Sequence, residues 1–223
     1  MSTLVKGIVF DLDETLYDQA QFKRSAFRDV GDWLGNRGLA DPALVTRTLE
    51  EIIGLYGPSN PRMFDLLLAR LNLDLALVPL LVEVFRSHKP RISVYPGVVE
   101  MLKKLRPALK LGLLTDGLSR VQRAKVEALG IEGLFDALLY SDDLGTSKPD
   151  RRLFEYFEKT FSLPGTSLVH VADNPAKDFV TPNALGWKTV RVRTGEHRGD
   201  GCAPGHEAKI SIASVLELPG ILK

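Results

Sequence analysis

Val9-Phe10-Asp11-Leu12-Asp13-Glu14-Thr15-Leu16 closes an apolar run, Val5 to Phe10, with two carboxylates two residues apart and a hydroxyl two residues further on. Buried strands do not normally end in paired acids, because desolvated like charges repel unless they are paired or metal-bound. The arrangement makes chemical sense if a cation sits there, with one carboxylate attacking while the other moves protons. Asp-x-Asp alone is also what a solvated turn or a helix cap looks like. The rest of the chain decides its meaning.

A chain of 223 residues allows one medium domain, or one domain carrying a sizeable insertion. Its 44% hydrophobic content fills an ordinary core and excludes a disordered chain. Formal net charge is +1, so no large field of either sign steers nucleic acid or an anionic membrane surface. The one cysteine, Cys202, cannot form an intramolecular disulfide, which suits a reducing compartment. Residues 1–10 lack the basic start and long apolar stretch of a signal peptide. The stretch Leu66 to Leu81 is broken by Arg70, Asn72, Asp74 and Pro79, and so reads as buried helices rather than a membrane span. The expectation is a cytoplasmic protein, a monomer or small homo-oligomer, with neither membrane nor nucleic acid polymer as partner.

Outward from the opening strand, periodicity alternates. Residues 19–36 place Phe22, Ala26, Val30, Trp33 and Leu34 at helical spacing. Asp41-Pro42 supplies an N-cap and a first-turn proline for another helix. Helical pattern continues through 43–55 and 61–87, interrupted by Gly57-Pro58-Ser59-Asn60. No strand is expected between residue 18 and about residue 90. After Tyr95-Pro96-Gly97 the pattern predicts helices over 98–105, 119–129, 150–161 and 176–185. Between them it predicts strands over 109–114, 135–140, 167–172 and 189–192. Gly195 to Gly205 reads as a surface loop, since it lacks the Gly-Lys-Ser/Thr ending of a nucleotide P-loop. The pattern implies a doubly wound α/β core with a parallel sheet, interrupted after its first strand by an all-helical insertion.

Ligands of such sheets bind outside the carboxyl ends of the strands. If Asp11 and Asp13 are functional, other polar groups should stand where other strands end. Thr115 follows the second predicted strand, and Asp173 and Asp178 follow the fourth. Lys148, within Thr146-Ser147-Lys148-Pro149-Asp150, stands just before a helix. Each has an ordinary reading as turn, helix entrance or cap. Together, in this order, they put carboxylates, an ammonium and a hydroxyl at one edge. The four histidines, His88, His170, His197 and His206, show no zinc-ligand spacing, and His170 reads as a core residue within a strand.

Four segments resemble the four motifs of the haloacid dehalogenase superfamily. They are Asp11-Leu12-Asp13-Glu14-Thr15, Leu113-Leu114-Thr115-Asp116-Gly117, Ser147-Lys148-Pro149-Asp150 and Asp173-Asn174-Pro175-Ala176-Lys177-Asp178. The helical block is similar to the family's C1-type cap. The resemblance implies a Rossmann-like catalytic core of residues 1–17 and 92–223 with a cap of residues 18–91. It implies a Mg²⁺-dependent phosphatase acting on a small phosphorylated metabolite, such as a sugar phosphate or nucleoside monophosphate. In that scheme Asp11 is the nucleophile that forms an aspartyl phosphate, and Asp13 donates and then accepts a proton. Lys148 offsets charge, and Thr115, Asp116, Gly117 and Lys148 surround the phosphoryl oxygens. The metal ligands are the Asp11 side chain, the Asp13 main-chain carbonyl and Asp173, with Asp178 acting directly or through water. A phosphotransferase or mutase, or a non-catalytic phosphometabolite-binding protein, are the alternatives on the same scaffold. Two positions depart from the family pattern: Asp116 stands where many members have Asn, and Ala172 where Gly often precedes the acidic pair. Asp13 favours phosphate esters over carbon–halogen bonds, because a leaving alkoxide needs a proton and a leaving halide does not.

Overall fold

The structure is a computed structural model and describes residues 4–199 and 201–222. The contacts divide it into two units, residues up to Gln19 with those from Ser93 onward, and Ala20–Ile92.

The second unit is helical: α1 (Ala20–Gly35), α2 (Pro42–Tyr56), α3 (Met63–Arg70) and α4 (Val78–Ser87). Asp41 caps α2 by accepting the Leu44 N–H at 2.8 Å, and Pro42 starts the helix where its missing N–H costs nothing. Phe27, Val30 and Leu34 form one stripe of α1, and Val45, Leu49 and Ile52 one stripe of α2. They pack with Phe64, Leu67, Leu68 and Leu81 into a core of the unit's own. The helical pattern of 61–87 is not continuous. Asn72 takes a left-handed conformation (φ 54°), and Asp74 captures the Ala76 N–H at 2.9 Å, so a short 3-10 turn (Leu75–Leu77) separates α3 from α4. Asn tolerates the left-handed backbone that turns the chain out of α3, and the short Asp74 side chain caps the turn that follows.

The first unit contains a six-stranded, wholly parallel sheet. In chain order it comprises β1 (Gly7–Phe10), α5 (Val98–Leu105), β2 (Lys110–Thr115), α6 (Ser119–Leu129), β3 (Ala137–Tyr140) and α7 (Arg151–Phe161). It continues through β4 (Leu168–Ala172), α8 (Val180–Ala184), β5 (Lys188–Val192) and β6 (Ile210–Ile212). The strand order is β3-β2-β1-β4-β5-β6. Every residue of β1 is buried, as expected of a central strand covered on both faces. Successive strands run to one side of β1 and then to the other, so the switch point lies between β1 and β4, where a crevice opens at the strand ends.

Two expectations need correction. The helix predicted over 176–185 covers only Val180–Ala184. Before it the chain makes turns: the Asn174 side chain accepts the Ala176 N–H, Asn174 O accepts the Asp178 N–H, and the Asp178 carboxylate accepts the Asn174 N–H. β6 was not expected: three residues after a Gly-rich loop are too few to display a period.

Packing above the sheet is close. A Cβ added to Gly112 would lie 2.6 Å from the Phe157 ring, which is fully buried among Val9, Leu114 and Trp187. Gly112→Ala is therefore expected to destabilise the protein by about 1–3 kcal/mol in urea denaturation. Gly133→Ala, which meets nothing within 4 Å, serves as the control. An unchanged midpoint for Gly112→Ala would show that the ring has room to move.

Candidate active site

Asp11 is the first residue beyond β1. Its N–H donates to Val171 O at 2.9 Å, which holds it level with the end of β4. The chain then turns sharply. Leu12 O accepts the N–H groups of Thr15 and Leu16, and Leu12 is fully buried. Glu14 adopts φ 59°, a left-handed conformation that costs a non-glycine residue roughly 1–2 kcal/mol and tends to persist at functional sites. This turn brings Asp13 back to pair with Tyr17 in an isolated bridge.

Lys148 joins the strand ends. Its ammonium lies 2.7 Å from Asp11 Oδ1 and 2.7 Å from Asp178 Oδ1, and its side chain is wholly inaccessible. The peptide bond between Lys148 and Pro149 is cis. Asp11, Asp173 and Asp178 are all buried, and each offers an oxygen within 4.8 Å of the others. Burial raises the Asp11 carboxyl above the usual range against the pull of Lys148, and the neighbouring Asp178 adds to the rise. Burial, with Asp11 and Asp178 close by, pushes Asp173 to about 8. Burial opposes ionisation of Asp178 too, but Lys148 outweighs it and the group stays well below the carboxylate range. For Lys148, burial disfavours the charged form and the surrounding carboxylates overcome it, so its ammonium persists.

With all three ionised, three buried carboxylates around one ammonium would carry excess negative charge, and without a cation the excess is met by the proton that Asp173 retains. Such charge is costly without a counter-ion. The donors are all hard carboxylate oxygens, so the set fits a hard divalent cation and not a soft one.

Thr115 ends β2 and is buried; its Oγ1 accepts from Gln122 Nε2 at 2.5 Å. Gly117 follows with φ 119°, a conformation closed to residues with a Cβ. Asp116, the charged departure from the family pattern, does not stand alone. Lys177 Nζ is 2.7 Å from its Oδ2, and the Lys148 N–H donates to its Oδ1 at 3.1 Å. Burial raises this carboxyl, but Lys148 and Lys177 together hold it below the usual range.

Asp13 is surrounded by donors. Tyr17 Oη donates to Oδ1 at 2.5 Å and Gln122 Nε2 to Oδ2 at 2.9 Å, and Lys125 Nζ reaches both oxygens at 2.7 and 2.9 Å. Burial opposes its ionisation, yet Lys125 and these hydrogen bonds prevail and keep it below the carboxylate range. Sequence reasoning passed over Tyr17, Gln122, Lys125 and Lys177. A signal existed for two of them: the buried face of α6 is Gln122, Lys125, Val126 and Leu129, so a Gln and a Lys occupy the apolar stripe of a helix. His170 is fully buried; its Nδ1–H donates to Val9 O at 3.1 Å, and its ring packs edge-on against Phe154.

The profile of the haloacid dehalogenase-like hydrolases matches residues 5–186 of this chain. A protein of Methanopyrus kandleri described as glyceraldehyde 3-phosphate phosphatase is 31% identical over 202 residues, covering 87% of each chain. One of the same description from Methanocaldococcus jannaschii is 30% identical over 225 residues, covering 99% of this chain and 98% of its own. Among solved structures, a HAD phosphatase from Thermococcus onnurineus superposes with a TM-score of 0.65 at 25% identity, over 98% of both chains.

The charge pattern would make binding of a cation at this cluster pH-dependent. Asp173, at about 8 without metal, must lose its proton to act as a ligand. Apparent affinity for a divalent cation is expected to fall roughly 50-fold from pH 8 to pH 6 by calorimetric titration, for one displaced proton. The sign for stability runs the same way. A carboxyl raised in the folded state costs the metal-free protein stability as pH rises from 3.8 towards about 8, and a bound cation removes that cost. The gain in Tm on adding metal should therefore be larger at pH 8 than at pH 6. Equal affinity at both pH values would contradict the Asp173 assignment.

Proposed function

The chain belongs to the haloacid dehalogenase-like hydrolases, and from that footing we propose that it is a Mg²⁺-dependent phosphatase of small phosphorylated metabolites, working through an aspartyl phosphate on Asp11. The observation that carries the reading is the pair of carboxylates at the end of β1, Asp11 against Lys148 and Asp13 within a nest of donors. Relatives described as phosphatases of a three-carbon phosphate ester make triose phosphates the first substrates to test.

Asp11 Oδ attacks phosphorus as an ionised carboxylate, and Lys148 holds its oxygen in place. As the new O–P bond forms, the bond to the leaving oxygen breaks, and that oxygen takes a proton from Asp13. In the ligand-free protein Asp13 is ionised, the form needed for the second half-reaction, in which it takes a proton from the water that attacks the aspartyl phosphate. Arrival of a phosphate dianion sets like charge beside Asp13 and favours uptake of one proton from solvent, which readies it as the acid for the first half-reaction. Thr115, the main-chain amides after it and Lys148 receive the phosphoryl oxygens, since phosphoryl transfer depends chiefly on positioning and charge. The Asp11 and Asp173 side chains and the Asp13 carbonyl would hold Mg²⁺, with Asp178 acting directly or through water. When bound, the ion offsets repulsion between the carboxylates and the substrate dianion. The helical unit is read as the cap that selects substrate, and the cytoplasm as the location. No helix among the described residues is long and apolar enough to cross a membrane.

A screen of triose phosphates, other sugar phosphates and nucleoside monophosphates, with and without Mg²⁺, tests the reading. Release of free phosphate that needs the metal and vanishes in Asp11→Asn is the expected result. Asp13→Asn should lower kcat about 100- to 10,000-fold and leave phosphate trapped on the protein. Metal-independent turnover, or activity surviving Asp11→Asn, would sink the mechanism.

The Asp116–Lys177 pair gives a second test. Lys177→Met leaves a carboxylate facing the phosphate and should lower kcat/KM, while Asp116→Asn in the same protein should restore most of the loss. A coupling of about 1–2 kcal/mol is expected from the double-mutant cycle. Simple additivity would mean that Asp116 does not face the substrate.

A further inference from the structure

Lys125 and Gln122 have no role in the scheme above, yet they are among the few buried polar groups of α6. Burying a lysine costs several kcal/mol unless a partner compensates. Lys125 is 4% exposed at its side chain and spans both oxygens of Asp13, 112 residues earlier in the chain. Long side chains on a helix lean towards its N-terminus, and α6 starts four residues beyond the end of β2. Gln122 and Lys125, three residues apart on one face, are thereby aimed back at the strand ends.

The hydrogen bonds are specific in direction. A carboxylate has about four acceptor positions, and those of Asp13 are taken by Tyr17 and Lys125 on one oxygen and Gln122 and Lys125 on the other. Uptake of a proton therefore requires one donor to yield, and the Tyr17 hydroxyl, which can rotate, is the one that does so while Lys125 and Gln122 stay bonded. Gln122 must present its amide nitrogen here, because its carbonyl oxygen would repel the carboxylate. That one nitrogen also donates to Thr115 Oγ1. A hydroxyl that accepts from Gln122 has its own proton left to give to a phosphoryl oxygen. One amide thus links the group that moves protons to the group that meets the phosphate.

We propose that Lys125 and Gln122 are positioning residues, which lock the Asp13 carboxyl and the Thr115 hydroxyl into one frame so that the leaving oxygen meets its proton donor in register with the phosphoryl group. The proposal rests on the phosphatase reading above. Neither residue forms or breaks a bond in the reaction. Their removal affects the first half-reaction most where the leaving oxygen is a strong base that needs a proton.

The test compares kcat/KM, which reports steps up to transfer onto Asp11, for two substrates: the best alkyl phosphate of the screen and p-nitrophenyl phosphate, whose weakly basic leaving group departs unaided. Lys125→Met is expected to lower kcat/KM for the alkyl phosphate about 30-fold or more and for the nitrophenyl ester less than about fivefold. Lys125→Arg should recover most of the alkyl activity. Gln122→Leu should show the same imbalance more weakly, and it carries the comparison if Lys125→Met fails to fold. Residual hydrolysis of the nitrophenyl ester shows that a variant is folded. Equal losses on both substrates, or no loss on either, would overturn the inference while leaving the phosphatase reading intact. A wild-type protein that hydrolyses neither ester with Mg²⁺ would overturn both.

Discussion

Three carboxylates buried at the ends of two adjacent parallel strands repel one another, and Lys148 bridges two of them. That excess of negative charge is the constraint on which the rest of the site depends. It explains why Lys148 keeps its proton though wholly buried, why Asp173 binds a proton when no cation is present, and why the donor set suits a divalent ion. The parallel sheet makes the arrangement possible. β1 and β4 end side by side at the switch point, so residues 162 positions apart in the chain, Asp11 and Asp173, become neighbours without either helix or strand being distorted.

A second charge balance sits beside the first. Asp13 and Asp116 each add a negative charge near the place where a phosphate would bind, and each has its own lysine, Lys125 and Lys177. The two pairs differ in burial. Lys177 is about a third exposed, and its pair with Asp116 compensates a departure from the family pattern. Lys125 is almost inaccessible, and a pair buried to this degree is weak evidence of a stabilising role.

Much of this was legible in the residues. Strands that end in acids, Thr115 or Gly-bounded turns announced themselves through short apolar runs, and the shared edge followed from topology rules. Asp41-Pro42 marked the start of α2 where it stands. What sequence reading missed has physical causes. The break at Asn72–Asp74 and the turns before α8 are marked by a left-handed Asn72 and by Asp74, Asn174 and Asp178 side chains that accept nearby amides, features that periodicity does not register. β6 is too short to carry a pattern. Lys125 and Gln122 look like surface residues by type, and only their spacing with Val126 and Leu129 marks them as facing inward.

The central claim is that Asp11 carries the phosphoryl group between two displacements. The stereochemical course at phosphorus tests it most directly, using a phosphorothioate monoester made chiral with two oxygen isotopes and hydrolysed in water carrying the third, so that the inorganic thiophosphate released is itself chiral. Two in-line transfers, first to Asp11 and then to water, predict overall retention of configuration. Inversion would mean that water attacks the substrate directly, and would contradict a covalent role for Asp11.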